Sequence, residues 1–279
     1  MSEFLSLGLG VQSTAIYYMS SMGELPRLKA AIFADLGREK KGTLKYLEFL
    51  QDWQLKNDGI PIIVIKSKNL YNDLLNSTNS TGQRFASIPA FTINEDGSQG
   101  MLRRQCTNEY KIEQVDRAIR RFLQVKTLKG KKVEVWKGIS LDEFDRISIP
   151  EQLWKIHVYP FIGYKASKDN TFRYDSGLPM MTRLNIKNWY EKNRLPIPPK
   201  SACVFCPYQS EAAWYEMKTQ EPEDFEAACK IDESIRNSSQ KGIKRPIFLH
   251  ESMEPLRNHE FKPENPDLWY GECSGNCHT

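Results

Sequence analysis

Several familiar signals are missing from this chain of 279 residues. No window holds eighteen apolar residues in succession, which predicts that no segment spans a membrane. The opening residues lack a basic stretch followed by a long apolar run, so no secretory leader is expected and the expected location is cytoplasmic. The excess of basic over acidic side chains is only +4, too small to announce a nucleic-acid binder by charge alone. No internal repeat is visible. No lysine precedes Ser13, so the phosphate loop G-x-x-x-x-G-K-[ST] is not present, and serine at position 13 breaks G-x-G-x-x-G. Cysteine is sparse at six residues; in a reducing compartment those thiols point to metal binding or catalysis rather than to a disulfide framework.

What is present is a globular composition, 40% hydrophobic and 27% charged, with short apolar strands alternating with helices. Strands are expected at 3–7, 28–35, 60–66, 132–139 and 156–162, and helices at 12–22, 40–57 and 109–122. This alternation predicts an α/β fold, a doubly wound and mostly parallel sheet covered by helices. The polar stretch 76–100, with "NSTNSTGQ" and "NEDGSQG", reads as a long mobile loop of the kind that serves as an active-site lid. Proline-rich "LPIPPK" (195–200) interrupts the alternation. A nucleotide-binding domain over 1–180 and a smaller helical, cysteine-bearing unit over 181–279 are the expected divisions.

The first strand runs straight into "GLGVQST" (8–14). Two glycines at a strand-to-helix turn let backbone N–H groups approach a ligand, and the first helical turn carries partial positive charge. Ser6, Gly8, Gly10, Gln12, Ser13 and Thr14 are therefore candidate anion-binding residues. The second strand ends in "DLGRE" (35–39), which places Asp35 at the carboxyl edge of the sheet, where open α/β folds bind ligands; capping the next helix is its plainer role. Gly138 follows a later strand, and Arg146 closes the acidic stretch behind it.

Cys203 and Cys206, two residues apart and followed by Pro207, make a chelating turn. Cys106 and either Cys273 or Cys277 would bring the set to four thiolates, which suits a [4Fe–4S] cluster or a structural zinc. Arg103, Arg104 and Lys111 flank Cys106, positions suited to gripping phosphate or tuning a cluster; solvated surface charge is their plainer role. Cys229 and His157 read as core residues.

The succession "GLGVQST", "DLGRE", "RRQCTNEYK" (103–111), "GISLDEFDR" (138–146), "HVYPFI" (157–162), "CVFC" (203–206) and "ECSGNCH" (272–278) resembles the phosphoadenosine phosphosulfate (PAPS) reductase family, within the PP-loop, adenine nucleotide alpha-hydrolase-like superfamily. The likeness covers nearly the whole chain. It implies a nucleotide site for ATP or a sulfonucleotide (PAPS or APS) at Gly10, Ser13, Asp35, Lys111, Gly138 and Arg146, with magnesium a candidate companion. It also implies an iron–sulfur centre on Cys106, Cys203 and Cys206; Cys273 is expected as the fourth ligand and Cys277, beside His278, as the reactive thiol, with the swapped roles as the alternative. Gln12, Ser140 and Phe144 depart from the family pattern, which has aspartate, arginine and serine there. Two chemistries suit the resemblance: sulfonucleotide reduction with a thiol carrier, or ATP-dependent thiolation of tRNA or DNA with a sulfur donor protein. A nucleotide- or metal-binding subunit without turnover is the third expectation.

Overall fold

A computed structural model describes residues 1–66, 68–236 and 244–263; Cys273, Cys277 and His278 lie outside the described residues. The chain builds an α/β fold around a seven-stranded mixed sheet. Strands β1 (Ser2–Ser6), β2 (Ala30–Ala34), β3 (Ile62–Ile65), β6 (Val133–Trp136) and β7 (Lys155–Tyr159) run parallel, and β8 (Tyr164–Ser167) and β9 (Arg173–Tyr174) add antiparallel at one edge. The spatial order is β3-β2-β1-β6-β7-β8-β9. Successive connections lead outward from β1 on one side and then cross to β6 on the other, so the sheet has a switch point between β1 and β6. Such a crevice is where open α/β sheets bind ligands.

Both faces of the sheet are covered, which is why its strands read as continuous apolar runs. Leu5, Ala31, Phe33, Trp136 and Val158 face helices α1 (Val11–Met22), α2 (Lys41–Lys56) and α5 (Arg183–Lys192). Their neighbours Phe4, Ala30, Ile32, Val133 and Val135 point to the opposite face, against α4 (Glu113–Phe122). The alternation follows from the two-residue period of a strand. Helix α1 is buried along Val11–Ser20 and is stopped by Gly23, whose φ of +84° accommodates the left-handed cap.

A second apolar cluster gathers α3 (Leu70–Leu75), Phe85, Ile88, Tyr110, Val204 and Phe205 with α6 (Glu211–Gln220), α7 (Pro222–Ile235) and Leu249. Cys229 is a core residue there, 1% exposed.

The expected lid over 76–100 is instead a folded part of this second cluster. Strands β4 (Phe91–Ile93) and β5 (Gln99–Met101) form a hairpin that pairs through β4 with β10 (Ile247–Phe248). Of the polar residues before it Asn79 is buried, and three of them gather on the buried Glu109 carboxylate. Asn79 donates to Glu109 Oε1 at 3.3 Å, Arg84 to Oε2 at 2.5 Å, and Ser80 also bonds to it. Among the described residues no helix is long and apolar enough to cross a membrane.

Candidate functional site

The loop between β1 and α1 carries Leu9 at φ +58°, a left-handed conformation that a branched side chain adopts only under constraint. That twist brings the Gly8 N–H to Ser13 Oγ at 3.2 Å, while Ser13 Oγ contacts the Gly10 carbonyl at 3.3 Å. Gly10 borders open space, since a side chain added there would meet nothing within 4 Å. Gly138, just after β6, presses against the same helix start: a Cβ on it would sit 2.4 Å from Ser13 N and 2.9 Å from the Gln12 carbonyl carbon. Only glycine permits this approach.

The crevice between these loops encloses about 1030 Å³ with its open mouth. Ser6, Gly8, Gly10, Gln12, Ser13, Gly138 and Arg146 line it, joined by Lys137, Arg183, Lys187 and Lys200. Five cationic side chains face a single lining carboxylate, Glu143, and that one is engaged: Gln12 Nε2 donates to it at 2.7 Å and Arg146 pairs with it. The buried Ser140 completes this network, 3.5 Å from Gln12 Nε2. The crevice is thus electropositive by a wide margin, and the amides at the start of α1 add to it.

Two of the cations are held against their own charge. Burial, with Lys155 nearby, pushes Lys137 down to about 7, and burial, with Lys40 nearby, pushes Lys200 down to about 8. Neither Nζ has a hydrogen-bond partner among the described residues. An anion bound against them restores their protons. The sign follows: below about pH 7 both are charged in the free and bound protein, and above it binding must take up protons, so affinity for a phosphate-bearing ligand falls as pH rises from about 7 towards 9. Calorimetry in buffers of different ionisation enthalpy should show proton uptake in that window. A flat affinity would detach these lysines from the ligand.

A second, narrower pocket of about 560 Å³ shares Ser6, Gly8 and Lys137 with the crevice and runs between the strand ends and a π-helical turn, Thr107–Ile112. Its walls include Ile32, Val135 and Val115, and Lys111 and His157 reach into it. His157 is a satisfied core histidine, with Nδ1 2.9 Å from the Ser148 carbonyl.

Thr14 and Asp35 stand apart. Thr14 is fully buried next to Tyr190 and does not line the crevice. Asp35 closes its own turn, accepting from the Gly37 N–H at 2.9 Å, and faces Lys66 at 3.8 Å.

Lys111 lies between the narrower pocket and the thiols. It is half-buried, and desolvation works against its charge, yet Glu39 together with Cys203 and Cys106 holds its pKa above the ordinary lysine range. Glu39 forms a backbone bridge with Cys203, and the Cys203 thiol points at Glu39 Oε1 from 3.9 Å. Burial pushes Cys203 well up, Glu39 adds to it and Lys111 opposes; burial likewise raises Cys206, with Arg104 and Lys111 opposing. Cys106, Cys203 and Cys206 are close enough to influence one another electrostatically.

Four of the five lining cations escaped the sequence reading. Lys137 carries a signal that was there to use, since it immediately precedes Gly138 at the same strand end. Arg183, Lys187 and Lys200 carry none, because their position depends on how α5 and the proline-rich segment fold back. No protein-family model and no curated protein matches the chain.

Proposed function

We propose that this chain is an adenine-nucleotide-dependent enzyme of sulfur chemistry, a PP-loop fold resembling the PAPS reductases. One observation carries the reading: the strongly cationic crevice at the start of α1 connects, through Lys111 and Glu39, to three cysteines from distant parts of the chain. The amides of the α1 start, the Ser13 hydroxyl and the crevice cations hold the polyphosphate or phosphosulfate.

The soft, all-thiolate donor set fits an iron–sulfur cluster, with a structural zinc as the alternative. Cys106, Cys203 and Cys206 would hold it, with Cys273 as the expected fourth ligand. Such a cluster, when bound, supplies electrons or a site for a sulfur species. The chain's own residues do the rest. Lys111 and Arg104 offset the negative charge of the thiolates, and Lys137 and Arg146 neutralise the phosphate oxygens as the activated intermediate forms.

Ser140 favours ATP over a sulfonucleotide. It is buried and occupied by the Gln12–Glu143 network, where the reductases carry an arginine. On that reading an acceptor oxygen of a tRNA or DNA base attacks the α-phosphorus, pyrophosphate leaves, and a sulfur nucleophile then displaces AMP.

The test is to purify the protein without oxygen, assay iron and sulfide, and measure binding of ATP, PAPS and AMP. Iron and sulfide in equal amounts, with ATP bound roughly tenfold or more tighter than AMP, is the expected result, since each 1.4 kcal/mol of phosphate contact is a factor of ten. Tighter binding of PAPS than of ATP would move the chemistry to sulfonucleotide reduction. Binding of ATP without pyrophosphate release on any acceptor would leave a subunit without turnover. Failure to bind any of the three would overturn the proposal.

A further inference from the structure

One group of ligating side chains lies outside both the crevice and the cysteines. Glu211 opens α6, His250 follows β10, and His259 lies nine residues further on. Among the described residues they are the one set of three His, Cys, Asp or Glu whose ligand atoms all fall within 4.8 Å of one another. Glu211 Oε1 is 2.9 Å from His259 Nε2 and 3.1 Å from His250 Nε2. The two rings lie side by side, centroids 4.2 Å apart and tilted by 36°, with the edge of Phe261 against them.

Each imidazole is also held by its other nitrogen. His259 Nδ1 is 3.2 Å from Glu254 Oε2, and His250 Nδ1 is 2.9 Å from Ser252 Oγ and 3.2 Å from the Ser252 amide nitrogen. The His250 side chain is 4% exposed, while His259 and Glu211, at 15% and 21%, leave a path to solvent.

We propose that Glu211, His250 and His259 bind a divalent first-row transition-metal ion, with zinc as the probe, at a site separate from the cysteine trio. Two imidazole nitrogens and a carboxylate oxygen converging on one point are a zinc donor set with a fourth position left for water. A carboxylate on the far nitrogen of a ligating histidine is the usual orienting partner, and Glu254 occupies that place for His259. Metal bonds of 2.0–2.1 Å in a tetrahedron set neighbouring ligand atoms roughly 3.3 Å apart. The two Glu211 distances need open by only a few tenths of an ångström, and all three ligand atoms already lie within 4.8 Å of one another. In the metal-free protein the Glu211 oxygen accepts a hydrogen bond from His250 Nε2–H, because His250 Nδ1 accepts from the Ser252 amide; when zinc binds Nε2 that proton leaves for solvent and the neutral ring carries its proton on Nδ1, with Ser252 Oγ as the acceptor. The ion ties the start of α6 to the segment that leads, in sequence, towards Cys273 and Cys277. The proposal does not depend on the nucleotide reading.

The experiment is a titration of the chelator-treated full-length protein with zinc, and in parallel with cobalt, for the native chain and for His259→Ala, His250→Gln and Glu254→Gln. The expected result is one equivalent bound by the native chain and missing from His259→Ala and His250→Gln, with Glu254→Gln weakened roughly 10- to 100-fold. The cobalt difference spectrum between the native chain and His259→Ala should show ligand-field bands without sulfur-to-cobalt charge transfer, which separates this equivalent from any held by cysteine. Zinc should also raise the melting temperature of the native chain and of Glu254→Gln, a variant that retains all three ligands. Equal stoichiometry in the native chain and His259→Ala, or a missing equivalent that carries sulfur charge transfer, would overturn the site.

Discussion

Replacing Gly138 by alanine is expected to lower nucleotide affinity about 100-fold, the equivalent of losing roughly 3 kcal/mol of charge-assisted contacts. The added Cβ would lie 2.4 Å from Ser13 N and 2.6 Å from Ser13 Cα. Both are backbone atoms of a buried helix, so no flexible side chain can swing aside. The start of α1 and the turn after β6 must separate, and the cradle they form together opens. Overpacking of this kind costs about 1–3 kcal/mol of stability as well, so the melting temperature should fall by a few degrees. Ser13→Asp provides the companion measurement, because it sets a carboxylate against the phosphates without that backbone clash. Isothermal titration with ATP should find both variants impaired and Ser13→Asp folded as well as the native chain. Native affinity in both would dismiss the α1 start as the anion site.

The second large effect is on metal content. Serine at Cys106, Cys203 or Cys206 should each remove most of the iron from protein purified without oxygen, whereas Cys229→Ser should retain it. Cys229 sits in the core of the second cluster, far up its titration range at about 12 because of burial. Cys106 is the decisive member, since it begins the π-helical turn that also carries Lys111. Full iron in Cys106→Ser would confine the proposed centre to the 203–206 turn and break its link to the cationic crevice.

Much of the crevice was legible because its logic is local. Glycines and a serine between an apolar strand and a helix specify a cradle within seven residues, and Gly138 announces itself by following a strand. Arg183 and Lys187 were not legible. They reach the crevice because α5 packs on α1, where the Tyr190 hydroxyl donates to the Val11 carbonyl at 2.9 Å, and nothing near residue 183 encodes that contact. The 76–100 stretch misled for the converse reason. Its polar residues suggest solvent, but Asn79, Ser80 and Arg84 are tied to a single buried carboxylate supplied by Glu109, out of sight in any local window. His250 and His259 are spaced like ordinary surface residues, and only the fold brings Glu211 between them.

The turn bearing Cys203 and Cys206 is stitched to the exit of β2. Lys40 N–H donates to the Ala202 carbonyl at 3.2 Å, Val204 N–H donates to the Arg38 carbonyl at 3.2 Å, and Lys41 N–H reaches Asp224 Oδ2 at 3.2 Å on α7. Mechanically, the sulfur-bearing turn is an outrigger of the sheet. A push on the 35–41 loop at the strand ends travels along a few stiff backbone bonds to change the spacing of the thiols, and a tightening of the thiols pulls on the loop in return.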